Sequence, residues 1–471
     1  MEVAIVALAV ACMQHRLAGR SKPTGKPCVT VLGLSNLYNH MSETMNTTAP
    51  TAESAAYAKV TWRLIPFLFL CYIVAYLDRV NVGFAKLQML TDLQLSETVY
   101  GLGAGIFFIG YFIFEVPSNI ILHKMGARVW IARIMISWGL ISSAMMFVSS
   151  AWMFYVMRFF LGVCEAGFFP GIILYLTYWY PSERRGKIVA MFMTAIALAG
   201  VVGGPVSGWI LQSMGGIGGL AGWQWLFLLE GIPSVLVGLM VLGYLDNSIA
   251  EARWLSAAEQ ALLAKNIAVD SETKQDHSLI QVMFSPRMWL LGLIYFCFVM
   301  GVYGIGFWLP TIIKAMGVKD ALNIGFLSAI PWTVAVVAML LVSRSSDRTR
   351  ERRWHVAIPA VLGGIGLILS AVFASQAILA MAALSLGTSG IMSSLPLFWS
   401  LPTAYLRGAG AAAGIALINS LGNLAGFVSP FLIGIIKDAT HSTDAGMYML
   451  AASLVIGAGL TLTIPAKVVN R

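Results

Sequence analysis

Twelve apolar runs of about twenty residues punctuate this chain, and each has the length a helix needs to cross a bilayer. They fall at about 63–84, 98–122, 129–149, 152–179, 186–213, 223–245, 287–312, 323–343, 354–373, 376–400, 408–436 and 445–465. Hydrocarbon offers no water to satisfy a backbone N–H, so such runs fold as spanning helices. The one long polar interruption, residues 246–285, separates six runs from six. The expected organisation is therefore a disordered or mis-started cytoplasmic tail over 1–58, a six-helix bundle over 59–245, a cytoplasmic linker over 246–285 and a second six-helix bundle over 286–471. The fold class is all-α membrane protein, twelve transmembrane helices in two halves.

Composition closes off the other classes. Hydrophobic residues make up 58% of the chain and charged residues 11%, against about 45–50% and about 25% in soluble domains. That excludes a disordered protein, a disulfide-stapled secreted domain and a nucleic-acid binder built on a basic surface. Cys71, Cys164 and Cys297 lie inside apolar runs, Cys12 and Cys28 lie in the tail, and no CxxC pair occurs. They read as small core residues, so no metal site and no cofactor is expected. There is no HExxH or GxSxG, which argues against an enzyme. A membrane sensor would need an output domain, and only the linker is free to supply one.

The net charge of +9 reflects the loops. With the N-terminus inside, the cytoplasmic loops and flanks hold most of the Lys and Arg, and the other side holds only Lys86, Lys314, Lys319 and Lys437. The positive-inside rule then places both termini in the cytoplasm. A faint repeat links Trp179, Pro181, Arg185-Gly186 and Ile196-Ala197-Leu198 to Trp399, Pro402, Arg407-Gly408 and Ile415-Ala416-Leu417. Two parallel-repeat halves with a site between them near midplane are a transporter plan.

Charge is costly at membrane depth, so intramembrane ionisable groups are functional candidates. Counted from the ends of their runs, Arg79 and Arg158 lie at similar depth, roughly 8–9 Å below the outer surface. Arg grips carboxylates with a planar fork, so the pair suits an anionic substrate; the alternative is that each pairs with a nearby acid. Glu165 lies two turns beyond Arg158 on one helical face, where a desolvated carboxyl suits a proton carrier. Asp78 is a second such acid or the counter-ion of Arg79. Glu115 and Glu230 read as gating or packing groups. Asn419 and Asn423, one turn apart, suit hydrogen bonds to substrate or between helices. Tyr76 and Tyr303 are candidate cavity residues. Pro205, in a Gly-rich stretch, removes a helix hydrogen bond and suits a bending or sliding element.

These residues form a recognisable pattern. From about residue 63 to 465 the chain resembles the major facilitator superfamily and, within it, the anion:cation symporter family of organic-anion carriers. The strongest matches are Tyr76-Leu-Asp78-Arg79-Val-Asn81-Val-Gly83, Arg158-Phe-Phe-Leu-Gly162-Val-Cys-Glu165-Ala-Gly-Phe-Phe-Pro170-Gly171 and Gly304-Ile-Gly-Phe-Trp308-Leu-Pro310. The superfamily loop motif is degraded after helix 2, where His123 stands at the Asp place. Its repeat after helix 8 keeps Asp347-Arg348, with Ser343 at the Gly place.

The resemblance implies the major facilitator fold and a proton-coupled uptake carrier for carboxylates. Arg79 and Arg158 would hold the substrate, with Asp78 and Glu165 carrying protons. The stretches Pro396–Tyr405 and Ala413–Asn423 look like carriers of tartrate and related hydroxy-acids; sugar-acid and aromatic-acid carriers share much of the pattern. The partners expected are a small organic anion, protons and membrane lipids, with no nucleic acid. The chain is expected to act as a monomer in a bacterial inner (plasma) membrane.

Overall fold

The computed structural model describes residues 52–272, 284–405 and 409–470. Most of the tail, part of the linker, and Arg407 and Gly408 of the faint repeat lie outside the described residues. The helical body belongs to one compact unit, Ala56–Arg471.

Twelve helices are long and apolar enough to cross a membrane: α1 Ala52–Asp92, α2 Glu97–Met125, α3 Ala127–Phe147, α4 Ala151–Thr177, α5 Ser182–Ser213, α6 Gly222–Tyr244, α7 Pro286–Ala315, α8 Ala321–Thr349, α9 Arg353–Val372, α10 Ala377–Pro402, α11 Gly414–Thr440 and α12 Asp444–Leu462. No strand occurs among the described residues. An even number of crossings puts the start of α1 and the end of α12 at one end of the bundle, called here the near end; α2 begins at the far end.

Interruptions in α1, α4 and α5 bear on the candidate residues. In α1 the helix pauses at Asn81, directly after Asp78 and Arg79. In α4 it breaks after Glu165: Ala166 is extended and Gly167 takes φ +85°. Pro170 explains the break, since it lacks the N–H that would have bonded the Ala166 carbonyl. Gly167 accepts the left-handed conformation without penalty, and a Cβ there would strike Ser118. The α5 interruption falls at Thr194, not at the expected bend: the segment Ala195–Ser213 runs through Pro205 unbroken.

The linker helix Ala257–Glu272 straps the near end of the first half. Lys59 pairs with Glu259 at 3.1 Å, Asp270 accepts from the N–H of Ser182, and Trp254 stacks on Trp179. Near the C-terminus, Glu351 accepts from the N–H groups of Trp354 and His355 and from Asn470. Partial burial opposes ionisation there, yet these donors hold its carboxyl below the usual range.

The two halves touch mainly toward the far end. There α5 crosses α8 backbone to backbone: a Cβ on Gly204 would lie 2.6 Å from the Gly325 carbonyl, and one on Gly325 would lie 2.3 Å from that of Gly204. Gly208 meets the Ala321 carbonyl in the same way. Small residues let helices approach this closely in lipid. The second seam joins α2 to α11, where Gly101 faces the Pro430 carbonyl and Gly434 faces that of Glu97.

Candidate functional site

The centre of the bundle holds two buried arginines around one aromatic ring. The Arg79 guanidinium lies 5.5 Å from the Phe107 ring centroid, and that of Arg158 lies 5.1 Å from it. Tyr111 stands 5.5 Å from Arg79, and Phe307 of the second half 6.0 Å from Arg158. Such faces attract cations, most strongly where water is excluded. Phe107, Tyr111 and Phe307 were not singled out by sequence, because an aromatic residue in an apolar span carries no signal of its own.

Of the two arginines, Arg79 pairs with a nearby acid, the alternative left open above, and Arg158 is held by backbone carbonyls. Arg79 makes a buried ion pair with Glu165, through Nε at 3.1 Å and through Nη2, and its Nη1 donates to the Tyr303 hydroxyl at 3.0 Å. It therefore ties α1 to α4 and to α7 of the other half. Asp78 is not its counter-ion. Although adjacent in sequence, Asp78 points into the first half and accepts from Trp138 Nε1 at 2.9 Å, Ser142 at 2.8 Å and Ser234. Arg158 donates to the carbonyls of Gly103 at 3.3 Å and Ala104 at 3.1 Å, and its buried Nη1 has no protein partner.

The depth estimate also changes. Helix α1 continues to Asp92, so Arg79 lies thirteen residues from its far end, about 20 Å along the helix. Arg158 lies seven residues into α4, about 10 Å. Arg79 is thus the deeper of the two, which is why it reaches Glu165. The sequence run ended early because Lys86 reads as an exposed loop cation. In the fold Lys86 is buried, 3.3 Å from the centroid of Trp308 and 2.6 Å from Glu97.

The remaining candidates scatter around this centre. Toward the near end, Glu115 of α2 accepts from Asn419 at 3.0 Å and Ser420 at 3.3 Å, bridging the halves. Asn419 is therefore engaged by protein, and Asn423 lies half-buried one turn on. Tyr76 is buried with its hydroxyl unpartnered. Glu230 is buried and accepts from Ser207 at 2.6 Å. Asp347 pairs with Arg352 at 2.7 Å on the near-end surface, and Arg348 is exposed beside it.

At the far end, Glu97 is shared by Lys86 and by Lys437 of α11, the latter at 2.6 Å, while Asp438 accepts from the N–H groups of Glu97 and Thr98. Glu97→Gln leaves Lys86 buried without its anion, which is strongly unfavourable. The expected result is a lower melting temperature in detergent and faster maleimide labelling of a cysteine placed at Thr311, toward the far end of α7. Unchanged values on both would remove Glu97 from the seam's stability.

Twelve spans around a desolvated ionic centre that joins two halves define a membrane transporter. The model of the Major Facilitator Superfamily matches residues 68–430, and the chain belongs to that superfamily. It is 49% identical over 414 residues to an Agrobacterium vitis protein named "Putative tartrate transporter", covering 88% of this chain and 95% of that one. It is 44% identical over 412 residues to the "Quinolone resistance transporter" of Acinetobacter baumannii, covering 87% and 94%. Among solved structures, the xylose transporter of E. coli in a partially occluded inward-open conformation superposes with a TM-score of 0.69 at 15% identity, covering 86% of this chain and 98% of that one. That likeness concerns the fold. The protein is a multi-pass secondary transporter of the organic-anion branch, with a small-molecule substrate, and not an enzyme.

Proposed function

We propose that the protein imports a small organic anion together with protons, with tartrate or a related hydroxy-dicarboxylate as the substrate. The observation that carries this reading is the shared ionic centre: Arg79 held by Glu165 and Tyr303, and Arg158 with one N–H group unused. A substrate carboxylate takes the place of Glu165 on Arg79 and engages Arg158, and Glu165 leaves the pair by taking up a proton. Arg79 serves both halves of the cycle because its fork accepts either carboxylate. Asp78 is the second acid assigned to proton coupling, and Tyr76, Tyr303, Asn419 and Asn423 complete the cavity wall. Glu115, Glu230, Pro205, Asp347 and Arg348 act in gating or packing.

The cell compartment is the bacterial inner membrane, with both termini cytoplasmic and the chain acting as a monomer. The far end, where the halves touch, then faces outward. The 49% identity to a protein named for tartrate supports the substrate class.

The test is uptake of labelled tartrate into proteoliposomes with and without an inward proton gradient. Gradient-driven accumulation is expected. Its absence removes tartrate as substrate, and competition with hexonates and aromatic acids then identifies the class. An aromatic acid is the second reading. It is favoured by Phe107, Tyr111 and Phe307 around the arginines.

A further inference from the structure

A second cavity, of about 30 Å³, is bounded by α1, α5, α7 and α8. It is large enough to admit water. Asn81, Ser207, Tyr76 and Ser328 are the polar groups on its wall, and Trp332 and Gly204 bring the seam between the halves up to it. Three of its neighbours are unpaired although buried. Asn81 lacks a partner at both Oδ1 and Nδ2, Tyr76 lacks one at its hydroxyl, and Glu230, just behind the wall, lacks one at Oε2. Buried polar atoms without partners are rare, and several in one place ask for an explanation.

Glu230 is the key to them. Ser207 donates to its Oε1 at 2.6 Å, and Asn81 adjoins the same carboxyl. No Lys or Arg among the described residues bonds it. From α1 the charged group acting on it is Asp78, of the same sign; from α5 the facing group is Ser207, and from α3 Ser143 lies against the adjoining Gly231. Asp78 has three donors on its two oxygens and is supported as a carboxylate. Glu230 has the Ser207 hydroxyl on Oε1, the Asn81 side chain beside its carboxyl, and no partner on Oε2. A second unsupported negative charge in the same dry strip is strongly disfavoured. A proton on Glu230 Oε2 removes that charge and supplies the donor that Asn81 Oδ1 lacks, directly or through a water in the cavity.

We infer that Glu230 is a proton-carrying residue of the transport cycle, loaded through the Asn81–Ser207 cavity when the α5–α8 seam parts. This goes beyond the packing role given to Glu230 above, and it rests on the proton-coupled reading. The proton is taken from water onto Oε2 while the seam is open and returned to water in the opposite state.

The test uses full-length protein in proteoliposomes. Infrared spectra at neutral pH read the C=O stretch of a protonated carboxyl without any substrate. The band is expected in wild type, in Glu230→Asp and in Asp78→Asn, and weakened in Glu230→Gln. Lumenal pH dye then reads proton entry during tartrate uptake. Glu230→Gln is expected to exchange tartrate at equal pH but to lose proton entry to background. A band unchanged in Glu230→Gln overturns the proposal, as does undiminished proton entry in that variant. A wild type that carries tartrate with no proton entry fails the coupling reading itself and takes the proposal with it. Because the wild type fails in that case, the two failures are distinguishable. Uptake driven by Na⁺ in place of protons overturns the proposal as well.

Discussion

Arg79→Ala is expected to abolish gradient-driven uptake and to destabilise the protein by about 3–5 kcal/mol, the usual cost of removing one partner of a buried ion pair. The substitution leaves Glu165 buried without its cation and deprives Tyr303 of its donor across the halves. The double variant Arg79→Ala/Glu165→Gln is equally inactive, because the anion site is gone. It is nevertheless expected to recover about 1–2 kcal/mol, because the uncompensated charge is gone too; contacting residues are non-additive on this scale. Melting curves of wild type, the two single variants and the double variant close the cycle. A double variant no more stable than Arg79→Ala would show that the pair is not coupled. Uptake surviving in Arg79→Ala would demote Arg79 from ligand to packing group.

The second large effect is expected at the α5–α8 seam. Gly325→Leu places its first carbon 2.3 Å from the Gly204 carbonyl, and backbone cannot step aside as a side chain can. Overpacking alone costs about 1–3 kcal/mol. Here the helices must separate, so the far end is expected to stand open and the cycle to stall. Thr311→Cys reports the change, because Thr311 is buried toward the far end of α7. In a background without native cysteines, an impermeant maleimide is expected to label Thr311→Cys slowly, and quickly once Gly325→Leu is added. Equal labelling rates would mean that the seam does not close the far end.

Much of the fold could be read from the chain, because a spanning helix needs a long apolar run and nothing else. The runs at 98–122, 223–245 and 354–373 end within a few residues of α2, α6 and α9. Where a span buries charge, reading fails: α1 runs past Lys86 to Asp92 because Trp308 and Glu97, distant in sequence, cover the ammonium. The importance of Asp78, Arg79, Arg158 and Glu165 was readable from the cost of intramembrane charge. Their pairing was not. Asp78 and Arg79 are neighbours in the chain, yet successive residues on a helix point about 100° apart, so one enters the first half and the other the centre. The α4 break had a signal in Gly167 and Pro170. The carbonyls that hold Arg158 had none, since every residue has a carbonyl.

The glycine seam also bears on how readily the halves can part. Closing an interface of long side chains freezes their rotamers, at about 0.5–2 kcal/mol for each Leu, Met or Lys ordered. Gly204, Gly208, Gly325 and Ala321 have no rotamers to lose. Contact there is made by backbone that is already rigid in its helix. The seam can therefore form and dissolve with almost no side-chain entropy at stake, leaving the balance between open and closed states to the few charged groups at the centre and the far end.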